Sequence, residues 1–425
     1  MKPHVIVRLS RSVHAPRRVH WIDARTDKSN VSPLLPDIAD LFDRFGVRVW
    51  SCAEYKPDGA DWSAEERAAG LDRVFRLVLT HNRPVPVELI EALGALSSVE
   101  EARMGRIGAA RLASEPMSRR AGRPAQSINL PTAHRMTRGE PEVTIAILDT
   151  GIDMAHPEFQ GRLRDAADFV NIIDGAADFV GDIIDADPDP KDEVGHGSHV
   201  AGIAAAAGHN MDVGVAPNCQ IMPVRVLATM TRDGESLGAG LIENINAGLK
   251  HAIDQGANVI NMSLGVEHTG GGLPHQEMVD YARQKGVLLV AASGNDGTET
   301  LYYPGAFESV ITVGATAPDG DVAGFSTFGR QVKIVAPGEN IVSAQPGARY
   351  GAASGTSQAA PFVAGAAALV QSVAHRAGGR FSDREVGQIL IDSADRPTPR
   401  FRDRHAGYGR LNAADAVHLA QSRIN

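Results

Sequence analysis

Apolar positions along residues 1–105 follow two periods. Residues 4–9, 47–52, 74–80 and 98–104 read as strands. Residues 37–45 place Ile38, Leu41 and Phe42 on one helical face, and residues 86–96 do the same with Val87, Leu89, Ile90 and Leu93. The resulting order, βαββαβ, is the split pattern of small ferredoxin-like α+β domains. Polar stretches at 11–35 and 54–71 interrupt it, the second with a helical flavour near its end.

Residues 105–126 carry no period. Arg106, Arg111, Arg119, Arg120 and Arg123 lie there among small residues, with Pro116 and Pro124. The stretch reads as an exposed linker of the kind where nicking concentrates. From residue 143 the pattern changes again. Residues 143–148 form an unbroken β-branched run, as in a strand buried on both faces. Further apolar runs at 220–226, 259–262, 287–292, 310–313 and 333–335 alternate with helical patterns at 199–207 and 241–255. That alternation predicts an α/β fold with a mostly parallel, doubly wound sheet. Three units follow: a small α+β unit at 1–105, an Arg-rich linker at 106–126, and an α/β unit at 127–425.

Composition narrows the function. At 425 residues, 43% hydrophobic and 22% charged, the chain has material for more than one core. A net charge of -9 argues against nucleic acid as a partner. Arg8 and Arg11 break the N-terminal apolar stretch, so it does not read as a secretory signal, and no run reaches the ~18–20 apolar residues of a membrane span. The expectation is a cytoplasmic protein with no membrane partner, with export by another route left open. Cys52 and Cys219 fall in different units and read as free buried thiols.

Three motifs carry candidate chemistry. Asp149 ends the first buried strand, in Ile147-Leu148-Asp149-Thr150-Gly151, where open parallel sheets place their sites. His196 lies in Gly195-His196-Gly197-Ser198-His199, a Gly-flanked turn before a helix. Ser357 lies in Gly355-Thr356-Ser357-Gln358-Ala359-Ala360-Pro361, ahead of an Ala-rich apolar run. A helix start there favours negative charge near the Ser357 oxygen. Each residue alone reads equally well as a strand-end or helix cap. Together they supply a nucleophile, a base and an acid to orient the base.

From residue 126 to 417 the chain resembles the subtilisin-like serine proteases, or subtilases. The three motifs come in that family's order, and Asn261-Met262-Ser263-Leu264-Gly265, Ala291-Ala292-Ser293-Gly294-Asn295, Tyr303-Pro304, Ala336-Pro337-Gly338 and Tyr408-Gly409 fall in line with it. The resemblance implies a serine endopeptidase with Asp149, His196 and Ser357 as triad, acting on polypeptides, and Asn295 in the oxyanion hole. It implies substrate binding along Ser263, Leu264 and Gly265 on one side and Ala292, Ser293 and Gly294 on the other. Ser198 and Gln358 depart from the usual Thr and Met. Tyr302 falls near the pocket floor, where the family often has a small residue; turned inward it makes the pocket shallow, turned outward it leaves room for large apolar groups. Ile242 and Ile245 offer an apolar subsite further along. The family also implies structural calcium, for which Glu158, Asp185, Asp187 and Asp189 are the candidates; a solvated acidic loop is the competing reading. Finally it implies that residues 1–105 are a propeptide-like inhibitor and folding aid, with the Arg-rich stretch as processing site. A peptide ligase or macrocyclase on the same scaffold, and a binding protein with a dead site, are the alternatives.

Overall fold

A computed structural model describes residues 3–25, 34–81, 83–110, 123–172, 178–183, 187–232, 235–268, 272–396 and 402–424. Within the first 104 residues the expected order is present. Strands His4–Leu9, Val49–Ala53, Val74–Leu79 and Val99–Met104 form an antiparallel sheet with His4–Leu9 and Val74–Leu79 at its centre. Helices Pro36–Arg44 and Val87–Gly94 cover one face, burying Ile38, Leu41, Phe42, Leu89 and Leu93 against Val5, Val7 and Leu9. Val87, read as apolar-facing, is instead 57% exposed, because it opens the first turn of its helix. The insertion at 54–71 holds a short helix, Ala64–Ala69, fixed by a reciprocal Ser63–Glu66 capping box.

The larger unit is built on a seven-stranded parallel sheet. Its order is Ile334–Pro337, Ile311–Thr316, Leu288–Ala292, Val259–Met262, Thr144–Asp149, Gln220–Arg225 and Ala167–Asp168. Every buried run read from the sequence is one of these strands. Helix Thr356–Arg376 crosses one face of the sheet and is buried from Thr356 through Ala374. Its alanines favour helix and let neighbouring elements approach closely. Helices Ile242–Asp254 and Gln276–Gln284 cover the other face; the second, with Gln276, Asp280 and Gln284 along it, went unread.

Those two helices also carry the small unit. Ile6, Leu71 and Val74 pack with Leu249, Met278 and Tyr281 in one apolar cluster. Hence both faces of the His4–Leu9 strand are buried. Buried polar groups complete the seam. Arg103 bonds Glu277 at 2.9 Å and Glu243 at 3.4 Å, His4 lies 3.5 Å from Glu243, and Lys250 bonds Glu66 at 2.7 Å. Tyr55 donates to Glu277 at 2.9 Å. Burial alone would raise the Glu243 carboxyl, but His4 and Arg103 outweigh it and hold it at about 2.

Within the stretch read as a linker, Ile107–Ala110 is a strand, and residues 111–122 lie outside the described residues. Cys52 and Cys219 are both buried and free. Among the described residues, no helix is long and apolar enough to cross a membrane.

Candidate active site

The C-terminal ends of the central strands bring the motifs together. Asp149 is the last residue of Thr144–Asp149 and is fully buried. His196 opens helix His196–Ala205, whose start lies directly on the turn after Asp149. A Cβ on Gly197 would come 2.1 Å from the Gly151 carbonyl oxygen, so only glycine permits this approach. The Nδ1–H of His196 donates to Asp149 Oδ1 at 2.6 Å, and the Thr150 amide donates to the same oxygen at 2.7 Å. A carboxylate only accepts, so this contact fixes the imidazole tautomer and turns Nε2 outward. Burial disfavours protonation of His196, but the Asp149 charge outweighs it and raises the imidazole above its ordinary value.

Asp192, unassigned in the sequence reading, holds this arrangement. Its buried carboxylate accepts from Thr150 Oγ1 at 2.8 Å and from the Gly195 and Ser198 amides at 2.7 and 2.9 Å. Thr150 Oγ1 in turn accepts from the Gly197 amide. Asp192 thereby caps the helix that carries His196 and ties it to the loop that carries Asp149. Its signal in sequence was an Asp a few residues before the Gly-His-Gly turn, hidden in a longer acidic run. His199 is structural: its Nε2 bonds the Ile341 and Gly351 carbonyls, and burial pushes it down to about 4.

Ser357 lies in the first turn of Thr356–Arg376, 3% exposed. Pro361 has no N–H to donate to the Ser357 carbonyl one turn back. Ser263 Oγ donates to that carbonyl instead, at 2.8 Å, and the Ser357 hydroxyl donates to the Ser263 carbonyl at 3.1 Å. Among the described residues, His196 Nε2 has no hydrogen-bond partner in this arrangement. Asn295 Oδ1 accepts from the Thr356 amide at 2.8 Å and hydroxyl at 2.9 Å. An amide N–H can only donate, so the Asn295 Nδ2 is the end left to face the helix start. The ideal Cβ position of Gly355 is 3.2 Å from that nitrogen.

Around Ser357 runs a cleft of about 530 Å³, lined by Ser263, Leu264, Gly265, Ala292 and Gly294. Ser293 is not on it. Successive side chains alternate along a strand, and its hydroxyl bonds the Thr327 carbonyl behind the wall. Tyr302 turns inward. Its ring crosses the slot, and its hydroxyl donates to Asp296. Ile107–Ala110 lies extended in the same cleft. On one side it pairs with Glu235–Leu241, Gly240 opposite Gly108; on the other, Ala109 and Gly265 exchange amide bonds at 3.1 and 3.3 Å. Ile245 does meet this strand, with its Cδ1 2.9 Å from the ideal Cβ position of Gly108. Gln358 is buried next to Ser357 with no amide partner among the described residues.

The calcium assignment at Glu158 does not fit. Its carboxylate accepts from the Gly208, His209 and Asn210 amides at 2.6, 2.9 and 3.0 Å and from the Tyr350 hydroxyl at 3.2 Å. The Arg162 guanidinium takes up the nearby Glu158, Ala205 and Pro217 carbonyls. A cation needs oxygen lone pairs, and here N–H donors have taken them. Asp187 Oδ1 accepts from the Asp189 amide at 2.7 Å, and Asp185 lies outside the described residues. Among the described residues, no three His, Cys, Asp or Glu side chains are placed to share a metal ion.

Residues 140–409 match the subtilase family. The chain is 39% identical over 285 residues to the thermophilic serine proteinase of Bacillus sp. (strain AK1), covering 66% of this chain and 63%, under two thirds, of that one. It is 39% identical over 245 residues to subtilisin BL of Lederbergia lenta, covering 57% of this chain and 81% of that one. It is 38% identical over 256 residues to the major intracellular serine protease of Bacillus subtilis (strain 168), covering 59% and 75%. A match of that extent, over the strands and helices that already carry the site, makes this chain a member of the subtilase family.

Proposed function

We propose that the chain is a serine endopeptidase held in check by its own N-terminal unit. The observation that carries this is the buried Asp149–His196 pair at the head of a helix packed against the one that carries Ser357, with an extended peptide strand seated along the Ser357 cleft. Ser357 attacks a peptide carbonyl while His196 Nε2 takes its proton and later delivers it to the leaving amine. Asp149 holds the tautomer and stabilises the imidazolium. Asn295 Nδ2 and the Ser357 amide receive the oxyanion. Water then hydrolyses the acyl-enzyme; the same intermediate passed to an amine would make a ligase, and nothing in the cleft favours that outcome.

Ile107–Ala110 occupies the place of a substrate strand, adding to the edge by backbone bonds. Antiparallel pairing of Ala109 with Gly265 means that a bound peptide brings the residue two positions further on opposite Ser263, whose carbonyl touches Ser357. In this chain that residue is Arg111, which lies outside the described residues. The expected self-processing bond is therefore Arg111–Leu112. The test is expression of wild type and Ser357→Ala side by side. Wild type is expected to show a cut between about 105 and 130, and the variant to stay full-length. Two full-length chains would sink self-processing, while labelling of wild-type Ser357 by a fluorophosphonate tests the peptidase reading separately.

A further inference from the structure

The side chain that closes the slot also carries its charge to the mouth. Tyr302 lies directly opposite Glu267 in the short antiparallel pair Val266–Glu267 and Tyr302–Tyr303, so both side chains leave the same face. The Tyr302 ring fills the space between the walls. A Cβ on Gly294 would come 2.6 Å from its Cδ2, and one on Gly265 would come 3.0 Å from its Cβ. Gly294 also holds φ +110, so glycine is needed there twice over. The hydroxyl end reaches Asp296, which is exposed at the rim. Among the described residues lining the cleft, the carboxylates are Glu267 and Asp296; the one cation, Arg106, lies just before Ile107–Ala110.

We propose that Tyr302 and Asp296 are specificity-determining residues that close the slot to aromatic side chains and select a cationic residue, arginine above all, at the carbonyl Ser357 attacks. The proposal rests on the peptidase reading and deepens it. An aromatic side chain needs an enclosed slot to bury its ring, and Tyr302 already occupies that slot. A long cationic chain instead lays its stem along the Tyr302 ring and its head against the two carboxylates. Upstream, a Cβ at the place of Gly108 would come within 2.9 Å of Ile245 and Val266, so the best partners there are small.

The test uses the full-length chain after its own activation, with competent sites counted by fluorophosphonate. Gly-Ala-Ala-Arg and Gly-Ala-Ala-Phe p-nitroanilides are compared by kcat/KM. Arginine is expected to exceed phenylalanine by about tenfold or more. Tyr302→Gly is expected to raise the phenylalanine value by about tenfold or more. The exposed Asp296→Asn change is expected to lower the arginine value about five- to tenfold, less so at high salt. A wild-type preference for phenylalanine, or a ratio unmoved by Tyr302→Gly, overturns the proposal. So does a labelled enzyme that turns over neither substrate. A chain that takes no fluorophosphonate label instead sinks the peptidase reading itself.

Discussion

Two helices of the larger unit are buried on opposite principles. Thr356–Arg376 is held mainly by apolar packing, with Ala359, Ala360, Val363, Ala366, Ala367 and Leu369 in one continuous core. Ile242–Asp254 buries Ile245, Leu249 and Ile253 on the sheet, but also buries Glu243, Asn246 and Lys250 under the N-terminal unit. The first kind of burial is non-directional and tolerates any surface that fits. The second is stabilising only while every partner stays in place, because a buried charge that loses its partner is costly. The helix that carries Ser357 is thus fixed by the core itself. The cover over the cleft is docked through contacts that one removed residue can upset.

The contrast is broken most strongly at Arg103. Arg103→Met leaves Glu277 and Glu243 buried without the guanidinium, and docking should weaken by about 3–5 kcal/mol, or roughly 10²–10⁴-fold. The reading is a faster fluorophosphonate reaction of Ser357 in the intact chain. Adding Glu243→Leu and Glu277→Leu should restore much of the docking; a rate that stays fast in the triple variant would mean that shape, not charge, holds the seam.

Leu369→Ala attacks the other helix. A loss of about 2–4 kcal/mol is expected, seen as a lower melting temperature for the whole larger unit. An unchanged melting temperature would remove the claim that this helix is the permanent core.

Acid should act on the seam next. His275 is buried and bonded through Nδ1 to Asn246 at 2.6 Å, with Glu277, Arg103 and Glu243 facing it. Burial lowers it to about 4. The undocked or unfolded form then binds more protons than the native one between pH 6.5 and 4, so stability should fall as pH drops through that window, by up to about 3 kcal/mol. His275→Gln should flatten the slope of melting temperature against pH. His196 has the opposite sign. Its raised value gives stability that is full below pH 6.5 and lost as pH climbs through it, while activity, which needs the neutral base, rises over the same interval.

The smallest effect is at Glu158. Glu158→Ala should cost about 1–3 kcal/mol by stranding three amides, and added calcium should not recover it. A calcium-dependent rise in the wild-type melting temperature that Glu158→Ala abolishes would reinstate Glu158 as a ligand.

These sites mark what a sequence makes legible. The central strands could be read because a strand buried on both faces must be apolar throughout, as Thr144–Asp149 and Leu288–Ala292 are. Asp149, His196 and Ser357 could be placed because their motifs end a strand or open a helix. Glu158, Asp192 and Glu243 could not be sorted, since three similar carboxylates differ only in what the folded chain brings to them. One meets amides, one a helix start, one a buried arginine. Ile107–Ala110 was missed for a related reason. Its small residues suit a strand only because Glu235–Leu241 and Gly265 flank it.

The paired serines have a further consequence. The Ser263 carbonyl that holds the Ser357 proton lies on the strand edge that an incoming peptide must pair with. That carbonyl has two lone pairs, so a peptide amide can share it with the hydroxyl. Among the described residues, His196 Nε2 has no hydrogen-bond partner. Ser357 keeps its proton on the Ser263 carbonyl even with Ile107–Ala110 lying in the cleft. Pro361 set the terms of this interlock, simply by lacking a hydrogen.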